Sequence, residues 1–161
     1  MFKYQLNSAV VDWLLEPDTP AVRYQTLRDL LDYAEDSPEL RAARVEAHRE
    51  GAIPAILAKM DAEGFWVEPG PGYLPKYHAS VWSLLSLAQL GASSKLDARI
   101  ATACGYLLKH ALARGGQFTA SGAPSGTADC LQGNLCGALL DLEYDDPRLE
   151  GAFEWMARSV T

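Results

Sequence analysis

Apolar residues recur at spacings of three and four along most of this chain, a pattern that predicts helices almost throughout. Val10, Val11, Leu14 and Leu15 form a short apolar face after Asn7 and Ser8. Thr19-Pro20 opens the next helix, with Thr19 as cap and Pro20 at the first helical position. Its apolar side carries Val22, Thr26, Leu27, Leu30 and Leu31. Ser37-Pro38-Glu39 opens a third helix in the same way, reaching about Glu50; its wealth of Arg, Glu and Ala predicts an exposed element. Gly51 breaks it, and a further helix begins over Ile53 to Met60. Later helices are predicted over about 78–90, 96–113, 127–142 and 147–160. Two segments interrupt the period. Asp61 to Lys76 holds Gly64, Pro69, Gly70, Pro71, Gly72 and Pro75, and Arg114 to Ser125 holds Gly115, Gly116, Gly122 and Pro124. No strand is predicted, so the fold class is all-α.

The helical segments repeat. Val81-Trp82-Ser83-Leu84-Leu85 and its continuation to Lys109 match Gly133-Asn134-Leu135-Cys136-Gly137 and its continuation to Arg158, about fifty residues later. Arg99 pairs with Arg148, Ile100 with Leu149, Ala103 with Ala152, and Tyr106 with Trp155. The preceding loops correspond as well: Gly64-Phe65-Trp66 matches Gly116-Gln117-Phe118. A fixed period of this length is the mark of stacked helical hairpins, because one hairpin cannot bury its apolar face alone. The expected organisation is one hairpin-repeat domain over 1–161, with units at about 8–50, 52–113 and 127–161, the first fitting more loosely.

Composition narrows the partners. The 161 residues are 48% hydrophobic and 22% charged, with a net charge of −7. An acidic field repels nucleic acid and anionic membranes, so neither is an expected partner. No apolar run approaches the roughly 20 residues of a membrane span. Met1 to Asn7 shows no apolar signal segment, so a cytoplasmic location is expected. The three cysteines, Cys104, Cys130 and Cys136, sit in helical patterns and are expected as buried thiols.

Glu63-Gly64-Phe65-Trp66, Pro75-Lys76-Tyr77-His78 and Trp82 through Gly91, repeated as Gly115-Gly116-Gln117-Phe118 and Asn134 to Trp155, resemble the prenyltransferase and squalene-cyclase (terpenoid cyclase) repeat superfamily. Bacterial prenyltransferase-like proteins of unsettled chemistry are the group most similar. The resemblance covers roughly residues 50–161 well and 20–50 loosely, and its motifs specify architecture rather than reaction. It implies an α/α toroid, in which inner and outer rings of helices enclose a cavity with the ligand near the inner-helix N-termini. A closed ring of that type has about six hairpins and this chain three to four, so an arc or half toroid is expected. A homodimer completing the ring would cover the flank left open, since large apolar patches are rare on monomers.

Several groups could carry chemistry. Trp66, Tyr73, Tyr77, His78 and Trp82, with Tyr24 and Arg23 from the first inner helix, are candidates to line an apolar cavity, as the resemblance implies for ligand binding; cation–π contact is the chemistry the aromatic rings supply. The alternative is that Gly-x-Trp loops staple adjacent hairpins. His78, Asp129 and Cys130 are suitable zinc ligands and begin successive inner helices. Protein prenyltransferases hold zinc with Asp, Cys and His at such a rim, but with their Asp and Cys one residue apart, whereas here they are adjacent and point about 100° apart on a helix. Lanthionine-forming cyclases use Cys-His-Gly, and here Cys130 is followed by Leu131-Gln132-Gly133. The alternative is that Thr127 or Asp129 caps the helix and Cys130 fills a small buried space. Glu143-Tyr144-Asp145-Asp146 resembles the acidic motif of class II terpene cyclases, but Asp146-Pro147 reads as a helix cap. His110 reads as a dipole partner at a helix C-terminus. The expected function is a prenyltransferase- or cyclase-like protein holding an apolar small molecule. The alternatives are a non-catalytic scaffold that grips a protein, and a zinc-dependent enzyme.

Overall fold

The computed structural model describes residues 7–159. These are all-α, with no strands; two isolated bridges, Leu112–Phe118 and Thr119–Thr127, tie the second long loop. The chain divides into two compact units, Met1–Ala55 and Ile56–Thr161.

The first unit holds α1 (Ser8–Leu14), α2 (Pro20–Gln25) and α3 (Pro38–Arg49). Asn7 caps α1, its side chain accepting from the Ala9 N–H at 3.0 Å. The expected apolar face of α1 is not buried: Val10 and Trp13 are exposed and no residue of the helix is fully covered. Pro20 stands at the first position of α2, whose missing N–H costs nothing there. Thr19 precedes it without making a side-chain capping bond. The helix continues as a π-helical turn over Thr26–Leu30. Ser37 caps α3 by accepting from the Leu40 N–H at 3.2 Å. α2 packs on α3 around Tyr24, Leu27, Leu40 and Ala43, with Leu15 and Leu31 at the edge.

α4 (Ala52–Leu57) carries the chain into the second unit, which contains α5 (Ser80–Gln89), α6 (Ala98–Ala111), α7 (Asp129–Asp141) and α8 (Arg148–Ser159). α5 packs on α6, α7 packs on α8, and α5 lies against α7. Leu84, Leu87, Ile100, Leu107, Leu135 and Leu139 are fully buried between them. Each contributes about 1.5–3 kcal/mol of hydrophobic transfer free energy. The predicted end of the last helix, Val160, lies outside the described residues.

The repeat seen in the sequence reappears bond by bond. After α5 the Gly91 N–H donates to the Ala88 carbonyl and the Ala92 N–H to Leu87; after α7 the Glu143 N–H donates to Leu140 and the Tyr144 N–H to Leu139. Both turns pass through a left-handed residue, Gly91 at φ 78° and Glu143 at φ 55°. Asp97 and Asp146 then cap α6 and α8 by accepting from the Arg99 and Arg148 N–H groups, each at 2.9 Å. Each also grips the guanidinium of the arginine it caps, at 2.7 Å in both pairs. The Ser93 hydroxyl donates to the Glu143 carboxylate at 2.5 Å, and Lys95 pairs with it at 3.2 Å, so the two turns interlock.

The Asp146 cap makes a pH prediction. Hydrogen bonds from Arg148 hold its carboxyl at about 2, below the ordinary 3.8. A carboxyl with a depressed folded-state pKa stabilises the fold above its unfolded value, and that contribution fades as pH falls through the folded value. Asp146→Ala is expected to cost about 1 kcal/mol at pH 6. The gap between variant and parent, measured by urea denaturation, should narrow between pH 4 and pH 2; a gap that is constant with pH would refute the assignment.

Candidate functional site

The loop between α4 and α5 is built by its glycines. Gly64, at φ 100°, lets the loop press on the backbone of α6, where an added Cβ would stand 2.9 Å from the Thr102 carbonyl oxygen. Gly72, at φ 73°, does the same against Ser80, and its carbonyl accepts the Val81 N–H at 3.0 Å at the start of α5. Between them Trp66 is 3% exposed. Its backbone N–H donates to the Ser80 hydroxyl at 3.1 Å and its indole Nε1 to the Ile56 carbonyl at 2.9 Å. The Trp82 indole donates back to the Tyr73 carbonyl at 2.8 Å. The aromatics therefore fasten the loop to the helices on either side of it.

The same residues leave a site. Trp66, Tyr77, His78 and Trp82 line one cavity of about 160 Å³, with Lys59, Ser83 and Ser86. Tyr77 and Trp82 also line a groove of about 580 Å³ running between α5 and α7. The wall from α5 is Leu85, Ser86, Ala88 and Gln89; that from α7 is Gly133, Asn134, Gly137, Ala138 and Asp141. Gly133 and Gly137 face open space, so none of the described residues fills the floor they form. Tyr77 is 75% exposed and sits at φ 67°, a conformation that costs a non-glycine residue on the order of 1 kcal/mol. Its ring lies 5.0 Å from that of Trp82, inclined at 50°, and the Tyr73 ring lies 5.5 Å from Trp82, inclined at 47°. Trp82 is half-buried in this stack, and the outward face of Tyr77 is available to a ligand.

Of the residues singled out in the sequence, Trp66, Tyr77, His78 and Trp82 come together in this way. Tyr24 is buried in the α2–α3 core, with the Arg28 and Arg44 guanidinium groups over its ring at 5.2 and 5.6 Å. The expectation that it faces a cavity is corrected by its packing partners, Leu27, Leu40 and Ala43. Arg23, one residue before, is exposed and lines a separate cavity on the same helix pair. His110 closes the last turn of α6 and stacks on Tyr106 at 4.1 Å.

His78, Asp129 and Cys130 are all exposed, and no group of three His, Cys, Asp or Glu residues arranged to hold a metal occurs among the described residues. The alternative for α7 is revised. Its cap position is Ala128, and the Thr127 hydroxyl donates instead to the Pro124 carbonyl at 2.7 Å. Cys130 is exposed rather than filling a buried space; Cys104 and Cys136 are the buried thiols. Burial pushes the Cys104 thiol up to about 12, which keeps it protonated and inert as a nucleophile.

Sequence reading missed two kinds of residue. Ser80 and Gln132 hold the loops, and the matching offset of the two Gly-x-aromatic segments was the signal that could have located them. Gly133 and Gly137, one turn apart, form the groove floor, a spacing visible in the sequence. No helix among the described residues is long and apolar enough to cross a membrane. Compared with family models, curated proteins and solved structures, the chain has no match in any of the three.

Proposed function

We propose that the second unit is an arc of α/α-toroid type whose inner helices, α5 and α7, hold an apolar small molecule, in the manner of prenyltransferase- and terpenoid-cyclase-like proteins. The observation that carries this reading is the sharing of Tyr77 and Trp82 between the small cavity and the larger groove. A ligand lying on the glycine floor of α7 would place one end against the aromatic stack and lead the other past Leu85 and Ala88. The walls set apolar groups, Leu85, Ala88 and the two aromatic rings, beside four polar ones, Ser86, Gln89, Asn134 and Asp141, and a few convergent polar groups are what fix a ligand's orientation in a small-molecule site.

Farnesol is a suitable probe, with the backbone amide resonances of Gly133, Asn134 and Gly137 on the groove wall as reporters. Tyr77→Ala and Trp82→Ala should each weaken binding about tenfold, equivalent to about 1.4 kcal/mol. Leu140→Ala, an exposed position of α7 outside the groove, should leave it unchanged. Farnesol that binds equally well to all three variants, or not at all to the parent, would sink the reading.

A protein-binding scaffold is favoured by a different observation. Val67 and Leu74 are exposed on the same loop at 64% and 62%, and neither lines the groove. A protein partner would cover them together with Tyr77, and Leu74→Asp would then abolish capture of that partner while leaving farnesol binding intact.

A further inference from the structure

Aligned on their capping residues Ser37, Asp97 and Asp146, helices α3, α6 and α8 bring three short steps of backbone into register. These steps are Ala42-Ala43, Thr102-Ala103 and Gly151-Ala152. The buried residues agree with the register: Leu40 and Ala43 correspond to Ile100 and Ala103, and to Leu149 and Ala152. In the second and third helix pairs this step carries the glycine of the preceding loop. Gly64 rests on Thr102 and Ala103, and Gly116 on Gly151. In the first pair the same step is the floor of an open cavity of about 440 Å³, lined by Ala42 and Ala43 together with Pro17, Pro20 and Arg23.

The surroundings of the step have changed their chemistry. Glu39, Glu46 and Glu50 also line the cavity. By the same register Glu46 stands where the other pairs have Tyr106 and Trp155, Glu50 where they have His110 and Ser159, and Glu39 where they have Arg99 and Arg148. Pro20 occupies the first position of α2, as Ser80 does of α5, and its side chain has no acceptor to offer a loop N–H. Small residues that let a backbone approach closely are thus kept, while the aromatic and cationic flank has become three carboxylates against one guanidinium.

We propose that this cavity is a docking groove for a basic, glycine-containing loop of another protein, with the glycine seated on the Ala42-Ala43 step. Two other helix pairs of the same chain show that the step accepts a glycine-bearing loop, and the excess of negative charge selects a basic one.

The test is a titration of the full ¹⁵N-labelled chain with the synthetic peptide acetyl-Lys-Gly-Lys-Phe-Lys-amide. The amide resonances of Ala42, Ala43 and Glu46 should shift. Affinity should fall at least tenfold for the same peptide with valine in place of glycine, and again for Glu46→Lys, an exposed substitution that leaves the helical circular dichroism unchanged. Binding should weaken steadily as salt is raised. Equal binding of a peptide with glutamates in place of lysines would overturn the proposal, as would shifts confined to other parts of the chain or no binding. Concentration-dependent self-association of the parent, lost in Ala42→Arg, would assign the groove to a second copy and also overturn it.

Discussion

Gly116→Ala is expected to unfold the α7–α8 pair at temperatures the parent tolerates. Gly116 lies at φ 92°, in a region where an alanine pays on the order of 1–2 kcal/mol. Its added Cβ would also land on the Gly151 carbonyl group and 3.3 Å from the Trp155 Cβ. The obstacle is helix backbone, which cannot turn aside as a side chain can, so the loop must lift off α8. Lifting it would break the bonds from Gln132 to Gly116 and Phe118. Strain and overpacking together are expected to cost about 3–5 kcal/mol, lowering the melting temperature by about 10 °C or more. Gly70→Ala is the control. Gly70 also has positive φ, at 130°, but no atom lies within 4 Å of the added Cβ, so only the backbone term applies. Thermal melts that place the two variants within a degree of each other would show that the seat on α8 contributes nothing.

This seat explains how much of the fold could be read in advance. Helix positions follow from the apolar period, because burial of Leu84, Leu107 or Leu135 forces one face of each helix inward and leaves its spacing in the sequence. The Gly-x-aromatic segments were legible as a repeat, since a glycine at positive φ tolerates little substitution. What they rest on was not legible, because Thr102, Ala103 and Gly151 are contacted through backbone atoms, and backbone contacts leave no residue-type signature. Tyr24 shows the opposite failure. An aromatic residue one turn into a helix is equally suited to a cavity and a core, and only the presence of Leu40 and Ala43 opposite it decides for the core. Cys130 was misread for a related reason: it continues an apolar pattern, but its side of α7 is exposed. The aromatic cluster of Trp66, Tyr77 and Trp82 was legible because, with Tyr73, four of the chain's eleven tryptophans and tyrosines fall between positions 66 and 82.

Gln132→Leu should be the second severe variant, despite replacing a 1%-exposed residue with an apolar one of similar size. The Gln132 side chain holds three backbone groups from two different elements. Its Oε1 accepts the Phe118 N–H at 2.7 Å, and its Nε2 donates to the Gly116 carbonyl at 3.1 Å and the Ala152 carbonyl at 2.8 Å. Leucine fills the space but leaves the Phe118 N–H and the Gly116 carbonyl without these partners in a dry interior. A buried donor or acceptor stripped of its partner costs about 1–3 kcal/mol, so a loss of about 3 kcal/mol in urea denaturation is expected. Ser80→Ala removes the single equivalent bond to the Trp66 N–H in the preceding repeat and should cost about 1 kcal/mol. Gln132→Glu separates hydrogen bonding from packing. Its carboxylate could still accept from Phe118, but ionised it would face the Gly116 and Ala152 carbonyls with no proton to give. The ionised form is disfavoured in the fold, so the folded pKa rises above the unfolded value of about 4.3. Stability of that variant is then greatest below about pH 4 and falls as pH rises through the elevated value, the reverse of the trend expected for the Asp146 cap. Equal urea midpoints for Gln132→Leu and the parent would mean that the loop and α8 are held by packing alone. A Gln132→Glu variant whose stability relative to the parent did not change between pH 4 and pH 7 would place the side chain in contact with water.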